Sequence, residues 1–533
     1  MNPQTVETII VGAGVAGLGC AHQLAKHKRD FLVITENIGG RIATSDDGRI
    51  NYGAYFVLSN YKHILSFVKK GEKLHPFSVE FHDKRNQYYH LAKMCRYPIQ
   101  TLRLLFMLWR FKSAYEQFKK QCERSSQKFV IESDPKLKKL YIQSASEFIK
   151  EKKITGIANK FLSEGIYMCT FLPLSKVSAF DFMRLCLGLI LPAYEFTFLP
   201  DKATKGFQDK IKNDSVTLIK DGEIQTKNGQ AYKTRHIVVA TPAHTAKKLL
   251  GLKKLKAGSN SYVFHVSGEL RDRWKGGQFE LFNSSSDVIF IRKQVDGSYI
   301  FYSKTVNPKL ENYFVNPKVV FEKHWEPAFN ITGDELLECE QGKNIYLAGD
   351  HNVIGLEDSY ITGMLAANKI IMNNKLENAL KWIVPVFGKH NVPFQITGGF
   401  AANIYGAKRP VNDIDIDVPE DKMDILLPDI EPYITFGPAH CKDERWDVKL
   451  IKLNYKSQEI DIGGAFDVKI FDDQNRVWIH CPAKFETAQT HSIYGIQVPI
   501  VSPQDLIEYK KLLSGEHQKT DITAVQKYIA KNK

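Results

Sequence analysis

The sequence predicts a chain of the α/β class, in which a domain built on a parallel sheet carries an inserted α+β domain and is followed by a small α+β domain. Three observations lead to this prediction. A short β-branched run near the N-terminus enters a glycine-rich turn and then a helix. Beyond residue 400, aspartates alternate strictly with apolar residues. The net charge also changes sign between these two regions.

Length and composition limit the number of domains and the class of protein. The chain has 533 residues, and domains typically have about 100–200 residues, so we expect two to four domains. Hydrophobic residues make up 43% and charged residues 25%, which excludes collagen, coiled coil and disorder as the main state. The longest uncharged stretch of the most apolar region, Leu185 to Tyr194, has ten residues, and a membrane span needs about 20.

The eight cysteines form no CxxC pair. This pattern favours reduced thiols over a disulfide framework or a zinc site. The first residues also lack the basic segment followed by an apolar segment that a secretory signal requires. We therefore expect a cytoplasmic protein.

The net charge of +14 is unevenly distributed. From Leu376 to the end there are 19 Lys and Arg against 22 Asp and Glu, whereas Arg96 to Lys160 has 15 against 6. Such a basic segment suits nucleic acid, an anionic membrane surface or simply a solvated helix face. We favour the solvated face, because few aromatic residues interleave the basic ones. The acidic C-terminal part is not expected to bind nucleic acid.

The first element is a glycine-rich turn between a strand and a helix. The apolar run Thr8–Val11 predicts a buried strand, and it leads into a turn with Gly12, Gly14 and Gly17 before a helix and a second strand, Phe31–Ile34. In this context Gly12 permits the tight turn, Gly14 lets the backbone approach a pyrophosphate, and Gly17 lets helix and strand pack closely. The pattern predicts a Rossmann-like domain with the anion at the helix N-terminus.

The residues after the second strand favour FAD over NAD. Glu36 is placed to hold an adenosine ribose, and Gly40 and Arg41 belong to a Gly-Gly-Arg segment. With the glycine turn, these residues resemble the flavin amine oxidase superfamily, which includes phytoene desaturases and protoporphyrinogen oxidases. The resemblance implies that Arg41 meets the phosphates of FAD. The spacing from Glu36 to Gly-Gly-Arg is shorter than is usual in the family, so Thr35 is an alternative ribose ligand.

The resemblance continues downstream and covers about residues 5–373. Val216 begins a strand that, with the hairpin and the turn after it, is similar to the segment over the adenine in these flavoproteins. Gly349 and Asp350 end another strand, and the resemblance implies that Asp350 contacts the pyrophosphate–ribityl region, with a helix following it. The predicted first domain spans 1–375. Its cofactor-binding parts are about 5–55, 205–255 and 340–373, and its substrate-covering parts are about 56–204 and 256–339.

The substrate-covering part leaves the reaction open. Amine oxidases of this superfamily typically place a lysine near the flavin, but the candidate strand offers His265, which we interpret as a packed residue, and Lys304 is a weak substitute. The expected activity is therefore amine oxidase-like or desaturase-like oxidation of a small molecule. The run Thr101–Phe111 is apolar almost all round and predicts a buried lid helix, with peripheral membrane contact as the less favoured alternative.

The last domain, predicted over 376–533, carries an acidic strand. Gly398 and Gly399 precede a short helix, and Asp413, Asp415 and Asp417 then alternate with Ile and Val. This alternation puts all three carboxylates on one face of a strand. Side-by-side carboxylates repel one another but suit Mg²⁺, which prefers oxygen ligands and also binds substrate phosphates.

This pattern resembles the DNA polymerase β-type nucleotidyltransferase superfamily, in particular the antibiotic nucleotidyltransferases and the AbiEii-like group. The resemblance rests on the glycine pair, on Arg409 four residues before the first aspartate, and on Asp461 in a second alternating run. It implies that Asp413, Asp415 and Asp461 are catalytic and bind two Mg²⁺ ions with a nucleoside triphosphate. It also implies that Lys510 helps to hold the triphosphate, with Asp521 a weaker candidate.

Together the two halves predict a fusion of an FAD-dependent oxidoreductase and a Mg²⁺-dependent nucleotidyltransferase that modifies a small molecule or a protein. Two alternatives stay open. In one, the transferase is the only enzyme and the flavin half is a sensor or scaffold; in the other, both folds are degenerate and the chain only binds ligands. The retained Gly, Arg and Asp residues argue against degeneracy. The sequence leaves open the substrates, the electron acceptor, the nucleotide, the reason for the fusion and the oligomeric state.

Overall fold

The computed structural model describes residues 3–45, 48–75, 79–82, 88–220, 222–253, 258–275, 279–283, 285–333 and 335–532. The chain divides into two compact units, Met1–Asn368 and Lys369–Lys533. The division therefore lies a few residues before the predicted boundary after Lys375.

The first unit is a mixed α/β structure. Its strands are β1 (Gln4–Gly14), β2 (Phe31–Gly39), β3 (Val57–Leu58), β4 (Val68–Leu74), β5 (Val79–His82), β6 (Tyr88–His90), β7 (Ala193–Phe198), β8 (Ile211–Asn213), β9 (Val216–Lys220), β10 (Glu223–Thr226), β11 (Ala231–Val239), β12 (Ser259–Leu270), β13 (Phe279–Phe282), β14 (Val288–Lys293), β15 (Tyr299–Ser303), β16 (Phe314–Phe329), β17 (Glu340–Gly342) and β18 (Ile345–Leu347).

Its helices connect and cover these strands. They are α1 (Val15–Lys26), α2 (Pro98–Cys122), α3 (Gln127–Ser133), α4 (Pro135–Ile142), α5 (Ala145–Glu151), α6 (Thr155–Ile157), α7 (Ser163–Thr170), α8 (Ala179–Cys186), α9 (Pro200–Ala203), α10 (Ala243–Leu250) and the first part of α11 (Leu356–Lys389).

A mainly parallel sheet forms the base of this unit. Its order is β17-β18-β11-β1-β2-β8, and the pairings from β18 through to β8 are all parallel. The hairpin of β9 and β10 extends it along β11. The central strand β1 is fully buried at Ile9 and Ile10, as its apolar sequence predicts. Strands from all three predicted cofactor-binding segments lie in this sheet.

A second sheet, in the order β16-β12-β15-β14-β13-β5-β6, is mostly antiparallel and takes its strands from both predicted substrate-covering segments. Strands β3, β7 and β4 form a separate small sheet that does not pair with the second sheet. The sheet strands β12 to β16 carry a core of aromatic and aliphatic side chains that includes Phe264, Phe301 and Phe314.

Helix α2 differs from the predicted lid helix in how it is covered. One face is buried, at Leu104, Leu108 and Phe111, but Leu102 and Trp109 are exposed. The prediction of a fully buried helix is wrong, because apolar residues all round a helix do not say which of its sides the fold covers. No helix within the described residues is long and apolar enough to cross a membrane.

The second unit is an α+β structure. Its strands are β19 (Gln395–Ile396), β20 (Asp413–Val418), β21 (Ile434–Lys442), β22 (Trp446–Tyr455), β23 (Gln458–Gly464), β24 (Lys469–Asp472), β25 (Val477–His480), β26 (Gln489–Ile493) and β27 (Ile496–Ile500). Its further helices are α12 (Gly398–Ile404), α13 (Leu427–Ile430), α14 (Pro503–Leu512) and α15 (Glu516–Asn532).

These strands form one mixed sheet in the order β25-β24-β22-β23-β20-β19-β27-β26, with β21 added along β22. The parallel pairs are β20 with β23 and β19 with β27. Ile414, Ile416 and Val418 of β20 are buried in the core of the unit, so its aspartates face the other side of the strand, as the alternation predicts.

Helix α11 runs through the predicted domain boundary without a break. The residues Met372 to Lys375 suggest a linker by their polarity, but Leu376, Ala379 and Leu380 continue the apolar spacing of a helix and enter the core of the second unit.

Candidate functional sites

The first unit contains a cavity of about 490 Å³ that begins at the glycine turn between β1 and α1. This volume lies within the range of about 300–1,000 Å³ that is typical of ligand sites. Predicted residues that line it are Gly12, Gly14, Glu36, Gly40, Arg41, Val216, Gly349 and Asp350. Gly17 is not among the lining residues.

The three glycines of the turn have different surroundings. Gly12 has φ +98°, and a Cβ there would lie 2.7 Å from the Ala240 carbonyl oxygen of the neighbouring strand. A Cβ on Gly17 would lie 1.9 Å from the Gly12 carbonyl oxygen. A Cβ on Gly14, by contrast, would lie 4.0 Å from the nearest protein atoms of other segments. Gly12 and Gly17 therefore let the protein pack on itself, while Gly14 leaves space on the cavity side, as predicted for a cofactor phosphate.

Thr35 and Glu36, the two alternatives for a ribose ligand, both line the cavity. Thr35 is buried, and its hydroxyl accepts from the Ala13 N–H (3.1 Å) and donates to the Asn37 carbonyl (2.6 Å). Its side chain thus ties β2 to the glycine turn. Glu36 is exposed, so its carboxylate is the more available of the two for a ligand.

Arg41 and Asp350, more than 300 residues apart in sequence, form an ion pair of 2.5 Å. Asn330 Nδ2 also donates to Asp350 Oδ1 (2.9 Å), and Arg41 donates to the Ala328 carbonyl (3.0 Å). Burial of Asp350 opposes its charge, but the Arg41 guanidinium outweighs this and lowers the pKa of the carboxyl. The pair is a fixed, ionised element in the wall of the cavity.

The far part of the cavity is aromatic. Phe171, Phe290, Tyr302 and Trp325 line it. The Phe290 and Tyr302 rings stack at 4.5 Å, and the Tyr302 hydroxyl and Trp325 Nε1 both donate to the Tyr52 carbonyl (2.9 and 2.8 Å). These hydrogen bonds hold the rings in place, and the surface they present suits an apolar or planar group.

A lysine that the sequence did not indicate also lines this part. Lys323 lies on β16 opposite Val263 of β12, and its ammonium is 4.3 Å from the Trp325 ring centre. Burial lowers the pKa of Lys323. The predicted lysine alternative, Lys304, packs over the Tyr167 ring instead.

His265 is a packed strand residue, as interpreted from the sequence. Its Nε2 lies 2.7 Å from the Ser298 hydroxyl and its Nδ1 lies 3.3 Å from the Tyr52 hydroxyl. The side chain is buried and does not belong to the cavity wall.

The residues of the cavity fit FAD by three observations. The space in front of Gly14 leaves the backbone open to a pyrophosphate. The buried Thr241 hydroxyl, also in the wall, lacks a protein hydrogen-bond partner among the described residues and can bond a ligand. The polar glycine end and the aromatic end match the phosphate and ring portions of a dinucleotide.

In the second unit the register brings the predicted acidic residues together. Asp413 and Asp415 lie on one face of β20, and the parallel strand β23 puts Asp461 directly opposite Asp415. Burial and the nearby carboxylates of Asp413 and Asp461 raise the pKa of Asp415 to about 7. Asp417 lies further along the strand, where Gln395 Nε2 donates to its carboxylate (2.8 Å).

The glycine pair adjoins this group. Gly398 has φ +67°, and a Cβ on it would lie 1.7 Å from Asp415 Oδ2. A Cβ on Gly399 would lie 2.3 Å from an Arg409 guanidinium nitrogen. The Gly398 N–H donates to the Tyr509 hydroxyl (2.9 Å). Both glycines therefore let charged side chains of the unit approach the backbone.

Arg409, Lys510 and Asp521 form a buried network beside the acidic strand. Arg409 Nε and Lys510 Nζ bind the Asp521 carboxylate at 2.8 and 3.0 Å, and Lys510 also donates to Gln518 (2.9 Å). Burial lowers the pKa of Lys510. Lys510 is therefore already paired within the protein rather than presented as an open phosphate ligand.

The expected metal site is not assembled. Within the part of the chain that the structure describes, no three His, Cys, Asp or Glu side chains are grouped to hold a metal ion. Lys452, which the sequence did not indicate, binds Asp461 Oδ2 at 3.0 Å. Oxygen donors of the right chemistry for Mg²⁺ lie on adjacent strands, but Lys452 occupies the Asp461 carboxylate.

Comparisons with known proteins concern the first unit's nucleotide-binding turn and the fold. Residues 10–70 match the NAD(P)-binding Rossmann-like domain. A double mutant of putrescine oxidase is similar in structure, with a TM-score of 0.50 and 13% identity over 69% of this chain and 99% of that chain. A triple mutant of the same enzyme gives a TM-score of 0.51 and 13% identity over the same shares.

At this identity the likeness concerns the fold alone, and no curated protein matches the sequence. The predicted Rossmann-like domain is confirmed by the family match, while the comparisons give nothing on the second unit. The chain thus has an N-terminal NAD(P)-binding Rossmann-like domain and a fold similar to that of putrescine oxidase.

Proposed function

We propose that the first unit is an FAD-dependent oxidoreductase acting on a small molecule with an apolar portion. The observation that carries this proposal is the single cavity that joins the space at Gly14 and the Arg41–Asp350 pair to a wall of aromatic rings. Bound there, FAD would accept a hydride from a C–H bond of the substrate.

The chain's own residues divide the remaining tasks. The amides of the glycine turn and Arg41 would hold the phosphates, and Glu36 would hold the ribose. Asp350 keeps Arg41 oriented and limits the net positive charge of the site. Lys323 has a lowered pKa and lies at the aromatic end. We assign to its amine the exchange of a proton with a substrate ammonium or alcohol.

The absorption spectrum of the purified full-length protein tests the proposal. We expect bands near ~375 and ~450 nm from an oxidised flavin. Gly14→Val should weaken FAD binding by about 100-fold or more, because its branched side chain fills the space for the pyrophosphate. Gly14→Ala controls for folding, since a Cβ there meets no protein atom closer than 4.0 Å, and it should weaken FAD binding less than Gly14→Val does. Colourless protein that takes up no FAD but binds NAD would refute the flavin proposal.

We propose nucleotidyl transfer as the activity of the second unit. The observation that favours it is the register of β20 and β23, which sets Asp461 beside Asp415 while Gly398 adjoins the same carboxylate. Asp413, Asp415 and Asp461 would hold Mg²⁺, which would neutralise the triphosphate. Asp461 must first leave Lys452, and Arg409 is positioned by Asp521 beside the glycine pair.

Transfer of labelled nucleoside monophosphate to a small molecule or to the protein itself tests this function. Asp413→Asn should abolish Mg²⁺-dependent transfer while flavin is retained. Asp417→Asn is a matched control, because Asp417 lies on the same strand face but is held by Gln395. Equal transfer by wild type and Asp413→Asn would exclude the acidic strand as the catalytic centre. Transfer without any flavin reduction by substrates would instead favour a sensor or scaffold role for the first unit.

A further inference from the structure

Helix α2 presents large apolar side chains to solvent along one face. Its other face packs into the first unit through Leu104, Leu108, Phe111, Tyr115 and Phe118. Directly opposite are side chains that are 59–71% exposed. We call them the α2 stripe: Ile99, Leu102, Phe106 and Trp109.

The spacing of the α2 stripe follows the helix. Steps of three and four residues keep the stripe on one side over about 15 Å of helix length. Leu105, 38% exposed, widens it on one flank. The apolar side chains lie on one exposed face of the helix, so a flat partner can contact all of them at once. Contiguous apolar surface of this kind marks an interaction site more often than chance exposure does.

The charges on the stretch of α2 that bears the stripe are all of one sign. From Arg96 to Tyr115 the sequence has no acidic residue, and Arg96, Arg103, Arg110 and Lys112 are all exposed. The Arg110 guanidinium lies 5.8 Å from the Phe106 ring centre, next to the stripe itself.

A second basic element adjoins the helix. Arg103 donates to the Lys152 carbonyl (3.1 Å) and the Lys153 carbonyl (3.3 Å), which brings the end of α5 beside α2. Lys153 is exposed there. Lys152 and Lys139 both pair with Glu151, so this element also carries a net positive charge.

We propose that the α2 stripe and its basic flanks bind an anionic membrane surface, with Phe106 and Trp109 inserted among the lipids. Apolar and aromatic side chains flanked by Arg and Lys are the pattern by which proteins lie on anionic bilayers. Tryptophan in particular favours the interface between headgroups and acyl chains. The inference is independent of the proposed activities of either unit.

The same charges disfavour a second copy of the chain as occupant. A symmetric dimer through the stripe would bring the basic flanks of the two copies together. No acidic residue between Arg96 and Tyr115 could compensate them. An anionic lipid surface satisfies both the apolar stripe and its flanks.

Co-sedimentation of the full-length protein with vesicles tests the proposal. We expect binding to phosphatidylcholine vesicles that contain phosphatidylserine, weaker binding at high salt, and little binding to phosphatidylcholine alone. The double substitution Phe106→Ser with Trp109→Ser should lower the affinity about tenfold or more. Arg110→Glu with Lys112→Glu should also weaken binding, and only to the anionic vesicles.

Controls separate binding from folding. Val295→Ser removes an apolar side chain that is 79% exposed elsewhere and should bind like wild type. Trp109→Phe should keep binding but lose the blue shift of tryptophan emission that vesicles cause in wild type. Circular dichroism should be unchanged in every variant, because the substituted side chains lie in solvent.

Three outcomes would overturn the proposal. They are absence of binding to anionic vesicles by the wild type, equal binding by wild type and the Phe106→Ser, Trp109→Ser variant, and a wild-type dimer that this variant dissociates while vesicles bind neither protein. The last outcome would identify the stripe as a contact between copies.

Discussion

Each unit places glycines between a strand and a helix, but the two glycine turns have opposite surroundings. In the first unit Gly14 is open, and the nearest atoms to an added Cβ are 4.0 Å away. In the second unit a Cβ on Gly398 would lie 1.7 Å from Asp415 Oδ2. The first turn makes room for a ligand, whereas the second makes room for the protein's own carboxylate.

This difference teaches that a glycine motif does not by itself reveal what approaches the backbone. The charged groups follow the same division. Arg41 and Asp350 form a pair at the edge of an open cavity, but Arg409 and Lys510 close around the buried Asp521. The first site has its ligand space already formed, and the second needs side chains to move before it can hold a metal.

The largest expected effect is the difference in stability between a methyl group added at Gly398 and one added at Gly14. Gly398→Ala should destabilise the second unit by about 3 kcal/mol or more, because it combines positive φ with overlap of Asp415. Gly14→Ala should change the free energy of unfolding by less than about 1 kcal/mol. Calorimetry of both full-length variants measures the contrast. Equal destabilisation would remove the distinction between the two turns.

An intermediate effect is expected at the ion pair of the first unit. Arg41→Met leaves the buried Asp350 carboxylate without its guanidinium partner, which should cost about 2–3 kcal/mol because the pair is partly buried. This loss of stability should become smaller at pH values below the ordinary pKa of an aspartate, because the Asp350 carboxyl of the variant is then protonated in both the folded and the unfolded chain. Chemical unfolding at neutral and acidic pH tests this, and an unchanged midpoint at neutral pH would contradict it.

The smallest effect concerns the acidic strand and depends on pH. The pKa of Asp415 is raised from 3.8 to about 7, so ionisation of this group costs stability as the pH rises from about 4 to about 7. In the presence of a chelator, Asp415→Asn should therefore stabilise the second unit by about 1–2 kcal/mol at pH 8, after allowance for partial exposure, and by almost nothing at pH 4. The same gain at both pH values would show that charge repulsion is not the cause.

The local motifs could be predicted from sequence because their geometry is set within a few residues. The strand, glycine turn and helix around Gly12 and the alternation around Asp413 belong to this class. The resemblance places Arg41 and Asp350 each against the cofactor, whereas their ion pair with one another comes from the fold.

Other features depend on which surfaces the fold brings together. Lys323 enters the cavity only because β16 pairs with β12, and Lys452 reaches Asp461 only because β22 lies beside β23. The exposure of Trp109 could not be read from a helix that is apolar all round. Helix α11 passes through Asn373 and Asn374 because burial of the residues beyond them outweighs the weak helix preference of asparagine.

The strand order of the first sheet has a consequence for synthesis. Ile9 of β1 pairs with Ile237 of β11, and β11 pairs with β18 at Tyr346. At ~5–20 residues per second, the ribosome needs on the order of tens of seconds after β1 to make β11 and then β18. In the second unit, by contrast, the ribosome makes the partner of Asp415 soon afterwards, because β23 with Asp461 follows β20 closely in the chain. Strand β1 can pair early with β2 along one edge, so we expect its other edge, which waits for β11, to be the part of the nascent N-terminal half that needs protection by chaperones.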